Sequence, residues 1–469
     1  MSRSFPICTA LIAIALCAFT AVVSAQQKVT VTVDPKASGI AIPDDFMGLS
    51  FESAAILPDA SGHYPYFRPD NLSLIQLFKT LGIKNLRIGG NTADRPSVKV
   101  PSPPDIDAVY AFARDAGTNV TYTLRLRESN PKDVVAIAKY VMDRYQQQTR
   151  CLTIGNEPNI YEKEYPKYRD DLTAFMSAIT AVAPDAKFCG PATTPEAGDW
   201  AASFAADFGH AKNVVEVTQH SYPGGNGKKV DDPVAGREKM LSPSFSSEYE
   251  KLYTNFVLAV RENGLKYRVE ETNNFYNGGA KDVSNTFASA LWGLDYLYWW
   301  ASRDSDGLNF HTGDNVAAGE QQTPCWYATF WTVANGYEAH PLAYAIKAFT
   351  LGSHGRLLPV HISNGASNFS AYAVLGADDS LYITLINKSE APSSGMDIIL
   401  NFQEVRAKAA AMYLTAPQSD IAAKDGITLG GSSISLDGAW QGKWQTLNGG
   451  KNIVVKLGPS SAVVVKLAH

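Results

Sequence analysis

Between residues 46 and 311 one pattern recurs: a short apolar run, a polar residue at its end, then a longer stretch of helical periodicity. The runs are 46–52, 84–90, 120–126, 151–157, 187–192, 214–222, 267–272 and 307–311. Helical patterns between them include 70–81, 104–116, 131–148, 168–183, 245–263 and 283–302. Strands that alternate with helices pair in parallel through β-α-β units. Eight such strands predict an α/β fold closed as a parallel β/α (TIM) barrel, which typically takes ~250 residues. The polar residues sit at one end of the runs: Glu52, Asn91, Arg125 and Arg127, Asn156-Glu157, His220 and Tyr222, Glu271-Thr272-Asn273, and His311. Barrels of this kind carry their sites at the C-terminal ends of the strands, so these residues are the candidates for chemistry.

The texture changes after about residue 356, where runs such as 369–376, 380–387, 396–401, 428–436 and 452–467 are short, alternating and separated by Gly, Ser, Asn and Asp. They predict an antiparallel β-sandwich accessory domain, a packing partner of the barrel. The strictly alternating strand at 28–33 is expected to return and complete it. The expected organisation is a discontinuous β domain (26–40 with 350–469) around a barrel at 41–349. Residues 1–25 read as a signal peptide: Arg3, an apolar stretch from Ile7 to Val23, and a small-residue site at Val23-Ser24-Ala25. Cleavage after Ala25 would leave 469 − 25 = 444 residues of a secreted protein, extracellular or periplasmic, with no membrane association.

Of five cysteines, Cys151, Cys189 and Cys325 survive that cleavage. Cys151 and Cys189 lie in apolar runs, so buried free thiols are expected. The mature charge, 40 − 46 = −6 once Arg3 is lost, offers no basic surface for nucleic acid. No zinc-type spacing, Gly-x-Ser-x-Gly or P-loop occurs, so neither a metal nor a cofactor is expected. Asn119, Asn368 and Asn387 lie in glycosylation sequons.

Glu157 ends the fourth run, in Ile154-Gly155-Asn156-Glu157-Pro158-Asn159, and Glu271 ends the seventh, in Tyr267-Arg268-Val269-Glu270-Glu271-Thr272-Asn273. Two carboxylates facing each other across a barrel mouth are the equipment of a glycosidase. Strict alternation puts Tyr267, Val269 and Glu271 on one face. We therefore expect Glu271 to point inward, with Arg268 and Glu270 pairing near the helices. The ionised carboxylate should accept hydrogen bonds, from Tyr222 or an Arg. Asn156 is placed to bind a sugar 2-hydroxyl, while Arg125 and Arg127 read as structural. His220 and His311 are the best-placed histidines, and Trp326 and Trp331 are sugar platforms or packing.

Asn-Glu-Pro with the Glu of the seventh strand resembles the clan A glycoside hydrolases. Gly48-Leu49-Ser50-Phe51-Glu52, Leu86-Arg87-Ile88-Gly89-Gly90-Asn91, and Glu271-Thr272 followed by Tyr276 and Gly278-Gly279 narrow the resemblance to glycoside hydrolase family 79, which contains β-glucuronidases and heparanase. The resemblance spans essentially the whole mature chain. It implies retention through a covalent glycosyl-enzyme, with Glu157 as general acid/base and Glu271 as nucleophile. It also implies sugar binding by Glu52 and Asn91, and uronate binding by Tyr276 and by Tyr327, where Trp-Tyr replaces Gly-Tyr. The expected activity is exo-acting release of terminal β-D-glucuronic acid, or its 4-O-methyl ether, from glycans. An endo-acting, heparanase-like enzyme and a non-catalytic carbohydrate-binding protein are the alternatives.

Overall fold

The computed structural model describes residues 27–318, 321–363, 368–390 and 395–468. The proposed signal segment lies outside them. Eight parallel strands close into a barrel in chain order: Met47–Glu52, Asn85–Gly89, Asn119–Leu124, Thr149–Ile154, Phe188–Thr193, Val214–Ser221, Lys266–Thr272 and Gly307–His311. Each predicted run overlaps one of them. The fold is the expected TIM barrel with a β-sandwich at its side.

The sandwich packs a four-stranded sheet, ordered Val360–Ser363, Gln27–Val33, Met396–Arg406 and Gly450–Leu457, against a larger sheet built mainly from 369–468. Val29, Val31 and Val33 point into the core between the sheets, with Ile398, Leu400, Val455, Ile383 and Val465. The N-terminal strand pairs antiparallel with Val360–Ser363 but parallel with Met396–Arg406, the one exception to an antiparallel sandwich among the described pairings. Lys408–Thr415 is a strand that the alternation did not reveal, because its run of Ala has little β-propensity. It is held between Ser461–Ala468 and two short strands. The expected run at 452–467 is two strands, Gly450–Leu457 and Ser461–Ala468, one in each sheet of the sandwich.

Helices Phe287–Ala301 and Pro341–Gly352 lie between barrel and sandwich, which is why both are apolar nearly all round. Tyr298 stacks on Tyr372 at 4.8 Å, and Asp295 receives Lys388 Nζ at 2.6 Å and the Tyr372 hydroxyl at 2.8 Å.

The barrel lumen departs from the usual layers of branched aliphatics. Arg150 pairs with Asp45, Glu216 and Asp306 near the N-terminal rim, and Arg268 lies 3.5 Å from Glu216 and 3.6 Å from Asp45. Arg87 lies above them. Glycines make the room: a Cβ at Gly307 would sit 2.2 Å from Arg268 Nη1, and one at Gly89 2.2 Å from Arg87 Cζ.

Two expectations fail inside this lumen. Arg268 and Glu270 do not pair near the helices: both are fully buried in the barrel, while Tyr267 stacks on Trp300 of the outer layer at 5.8 Å. Arg268 and Glu270 share the inward face by ordinary alternation, and Glu271 joins them there through a β-bulge. Gln219 and His220 oppose Val269 and Glu271, and Leu308 and Phe310 oppose Val269 and Thr272, so the seventh strand carries one residue more than either neighbour. Alternation breaks there, and the side chains of the consecutive residues Glu270 and Glu271 both approach Arg87. Cys151 and Cys189 are not free thiols either: they form a disulfide between the adjacent fourth and fifth strands, with Cα atoms 5.9 Å apart. Burial pattern reads each strand alone and does not reveal that two cysteines face each other. Cys325 is free and buried.

Candidate active site

At the C-terminal mouth of the barrel lies a cavity of about 720 Å³. Its lining includes Glu52, Asn91, Asn156, Glu157, Tyr222, Glu271, Tyr276 and Tyr327.

Glu157 follows the fourth strand in a left-handed conformation (φ 47°), two residues after Gly155 at φ 89°. A non-glycine residue there costs about 1–3 kcal/mol and is characteristic of functional sites. The backbone N–H of Glu157 donates to Ala192 O at 2.8 Å, and Pro158 opens the short turn that carries the chain away. His220 Nδ1 meets Glu157 Oε1 at 2.9 Å. Glu271 accepts from Tyr222 Oη at 2.9 Å and from Arg87 Nη1 at 2.6 Å, and His311 Nδ1 is 3.8 Å away. One ligand atom from each of Glu157, His220 and Glu271 lies within 4.8 Å of the others. The two carboxylates thus share one cleft.

The electrostatics separate the two acids' surroundings. Burial alone would push Glu271 up, but His311, His220, Arg87 and the Tyr222 hydroxyl outweigh it and hold Glu271 well below the ordinary carboxylate range. Burial likewise opposes the charge on His220, yet Glu271, Glu157 and Glu270 raise it to about 9. These shifts set the pH dependence of stability. The contribution of His220 is whole below about 6.5 and is lost as the pH rises through about 9. That of Glu271 is present above about 4.5 and is lost as the pH falls below it. The thermal midpoint is therefore expected to be highest from about pH 5 to 6.5 and to fall on both sides. Calorimetry across pH checks this, and Glu271→Gln should flatten the acid limb.

Asn156 Oδ1 accepts from Arg87 Nη2 at 2.6 Å, which turns its Nδ2 group toward other partners. Glu52 Oε2 receives the Thr92 N–H at 2.8 Å and the Thr92 hydroxyl at 2.7 Å, and Oε1 receives the Ala317 N–H at 3.1 Å. Asn91 is exposed at the rim and donates to Ala317 O at 2.9 Å. Tyr276 is 41% exposed on the rim, edge-on to Tyr222, whereas Tyr327 is buried behind it. Arg125 donates to the carbonyls of Ala93 and Val98, away from this cavity. Arg127 lines the cavity and lies over the Tyr161 ring at 5.5 Å. Trp326 and Trp331 face each other at 5.7 Å outside the lining.

Sequence reasoning missed Arg87, which joins Glu271, Asn156 and Ser50 although fully buried. The signal was present: an Arg inside an apolar strand, two residues before a glycine. It also missed Asp94, which gathers the N–H groups of Leu126, Arg127 and Asn156 and the Tyr161 hydroxyl, tying together the loops after the second, third and fourth strands.

Comparison with known proteins agrees with this geometry. Over 111 residues the chain is 29% identical to a β-glucuronidase of Aspergillus niger, an alignment that covers 22% of this chain and 20% of that protein. The chain therefore spans about a fifth of the length of the curated relative it matches. A 4-O-α-L-rhamnosyl-β-D-glucuronidase from Fusarium oxysporum shares the fold with a TM-score of 0.73 at 19% identity, covering 93% of this chain and 100% of that one. A family 51 arabinofuranosidase from Xanthomonas axonopodis pv. citri shares it with a TM-score of 0.69 at 14% identity, covering 94% and 100%. Residues 127–298, which hold both Glu157 and Glu271, match the family model for the N-terminal domain of glycosyl hydrolase family 79. Over this segment the chain is similar to glycosyl hydrolase family 79.

Proposed function

We propose that the chain is an exported, retaining β-glucuronidase that releases terminal β-D-glucuronic acid, or its 4-O-methyl ether, from glycans by exo attack. The observation that carries the reading is the pair of Glu157 and Glu271, within reach of one sugar ring and held in different surroundings. In the first step Glu271, ionised and aimed by Arg87 and Tyr222, attacks the anomeric carbon while Glu157 hands a proton to the departing oxygen. In the second step Glu157 takes a proton from water, which displaces Glu271. The Asn156 amide is available to the 2-hydroxyl, a contact that strengthens in the transition state. Glu52 and Asn91 bind other sugar hydroxyls. The hydroxyls of Tyr276 and Tyr327 serve the uronate; burial among neighbouring acids keeps that of Tyr327 protonated and able to donate.

The similarity to a β-glucuronidase supports the substrate class. Exo action is supported by the charge of the cavity: Glu52, Asp94, Glu157, Glu196, Glu248 and Glu271 line it, against Arg95 and Arg127, a poor groove for a long polyanion. The Cys151–Cys189 disulfide supports export to an oxidising compartment. A panel of aryl β-glucuronide, galacturonide, glucoside and xyloside, with the first-formed anomer followed by NMR, tests the reading. Glucuronide turnover with β-product is expected. Inversion, or preference for a neutral glycoside, overturns it, and internal cleavage of a glucuronan or heparan oligomer replaces exo with endo action.

A further inference from the structure

Glu270 is a buried acid that the reaction just described does not use. It is fully buried, does not line the substrate cavity, and its Oε1 has no hydrogen-bond partner among the described residues. Its Oε2 accepts a long bond from Thr153 Oγ1 at 3.4 Å. A carboxylate in a closed lumen is costly unless cations lie beside it. Two do: Arg87 Nη2 is 3.9 Å and His220 Nε2 3.8 Å from Oε1. Both reach on to the reacting pair, Arg87 to Glu271 and His220 to Glu157. Alternation from Arg268 brings Glu270 to this position, and the bulge in the seventh strand turns Glu271 toward the same cations.

We propose that Glu270 is a positioning residue that acts through His220: it holds the imidazole doubly protonated, so that Nδ1–H stays committed to Glu157 Oε1 and the transferable proton of Glu157 stays on the oxygen facing the leaving group. The proposal rests on the reading of Glu157 as acid/base. A neutral imidazole has two tautomers. With its proton on Nε2, Nδ1 would accept from Glu157 and draw the acid's proton away from the substrate. An imidazolium has no such alternative, and its charge also stabilises Glu157 once the proton has left.

The charged groups facing His220 are Glu157 after the fourth strand, Glu270 and Glu271 on the seventh, and Arg87 on the second, whose Nη2 lies 3.5 Å from Nε2. Arg87 disfavours the second proton and the three carboxylates favour it. Against the burial that lowers it, the balance carries His220 up to about 9.

The test is the ring nitrogen titration of His220 in ¹⁵N-labelled full-length protein, assigned by loss of the signal in His220→Asn. Wild-type His220 should stay doubly protonated beyond about pH 8. In Glu270→Gln its midpoint should fall by about one unit or more. The basic limb of kcat/KM for an aryl glucuronide should fall with it, while KM at the optimum stays within about twofold because Glu270 is outside the cavity. A merely structural role would reduce the folded fraction without moving the limb. An unmoved midpoint or limb in a folded variant overturns the proposal. So does wild-type His220 titrating near 6.5, its ordinary value, which decides the matter even if the variant does not fold. If no glycoside of the panel is hydrolysed, the proposed function falls, while the titration still reports whether Glu270 governs His220.

Discussion

Glu271→Gln is expected to lower kcat/KM for an aryl β-glucuronide by at least about a thousandfold, or about 4 kcal/mol of transition-state stabilisation. The amide keeps the shape of the side chain but cannot attack the anomeric carbon. Arg87 Nη1 and Tyr222 Oη, now at 2.6 and 2.9 Å from the carboxylate, would then face a neutral group. Activity within tenfold of wild type removes Glu271 from the reaction. A second substrate separates the roles of the two acids. A leaving group acidic enough to depart without a proton, such as dinitrophenolate, should restore the first step in Glu157→Gln and not in Glu271→Gln. Restoration in both, or in the Glu271 variant alone, reverses the assignment.

Arg87→Met is expected to cost about 3–5 kcal/mol of folding stability, because it leaves buried carboxylates without their cation. Arg87 is fully buried and lies 2.6 Å from Glu271 and 3.9 Å from Glu270. It also donates to Asn156 Oδ1 at 2.6 Å and to Ser50 Oγ at 3.1 Å, so its loss frees Asn156, the proposed 2-hydroxyl ligand, as well as the proposed nucleophile. Urea denaturation of both variants and of the double variant Arg87→Met/Glu271→Gln measures the coupling. The double variant should be clearly more stable than the sum of the single losses allows, since one of the stranded charges is gone. Strict additivity, or a loss below about 1 kcal/mol for Arg87→Met, contradicts an interior ion pair.

Much of the architecture was legible because local and global patterns agree. Each barrel strand is a short apolar run, and its polar end marks the rim on which the cleft opens. Glu157 and Glu271 could be read for the same reason: strands that run parallel deliver their last residues to one end of the barrel, whatever the sequence separation. The alternation of Val29, Val31 and Val33 likewise announced a sandwich strand, although not that it would pair parallel with Met396–Arg406.

Glu270 shows where such reading stops. Alternation predicts opposite faces for neighbouring strand residues, and an extra residue in the seventh strand, visible only against the register of its neighbours, cancels that rule. The Cys151–Cys189 disulfide depends in the same way on which strands are adjacent. Arg87 lies in an apolar strand, and its partners Glu270, Glu271 and Asn156 all come from other strands. Periodicity along the chain therefore determined the elements, the barrel and the end that bears the acids, because those follow from what each segment must bury. The tertiary structure alone decided which charges share the lumen, because a buried charge is tolerated only through partners that come from elsewhere in the chain.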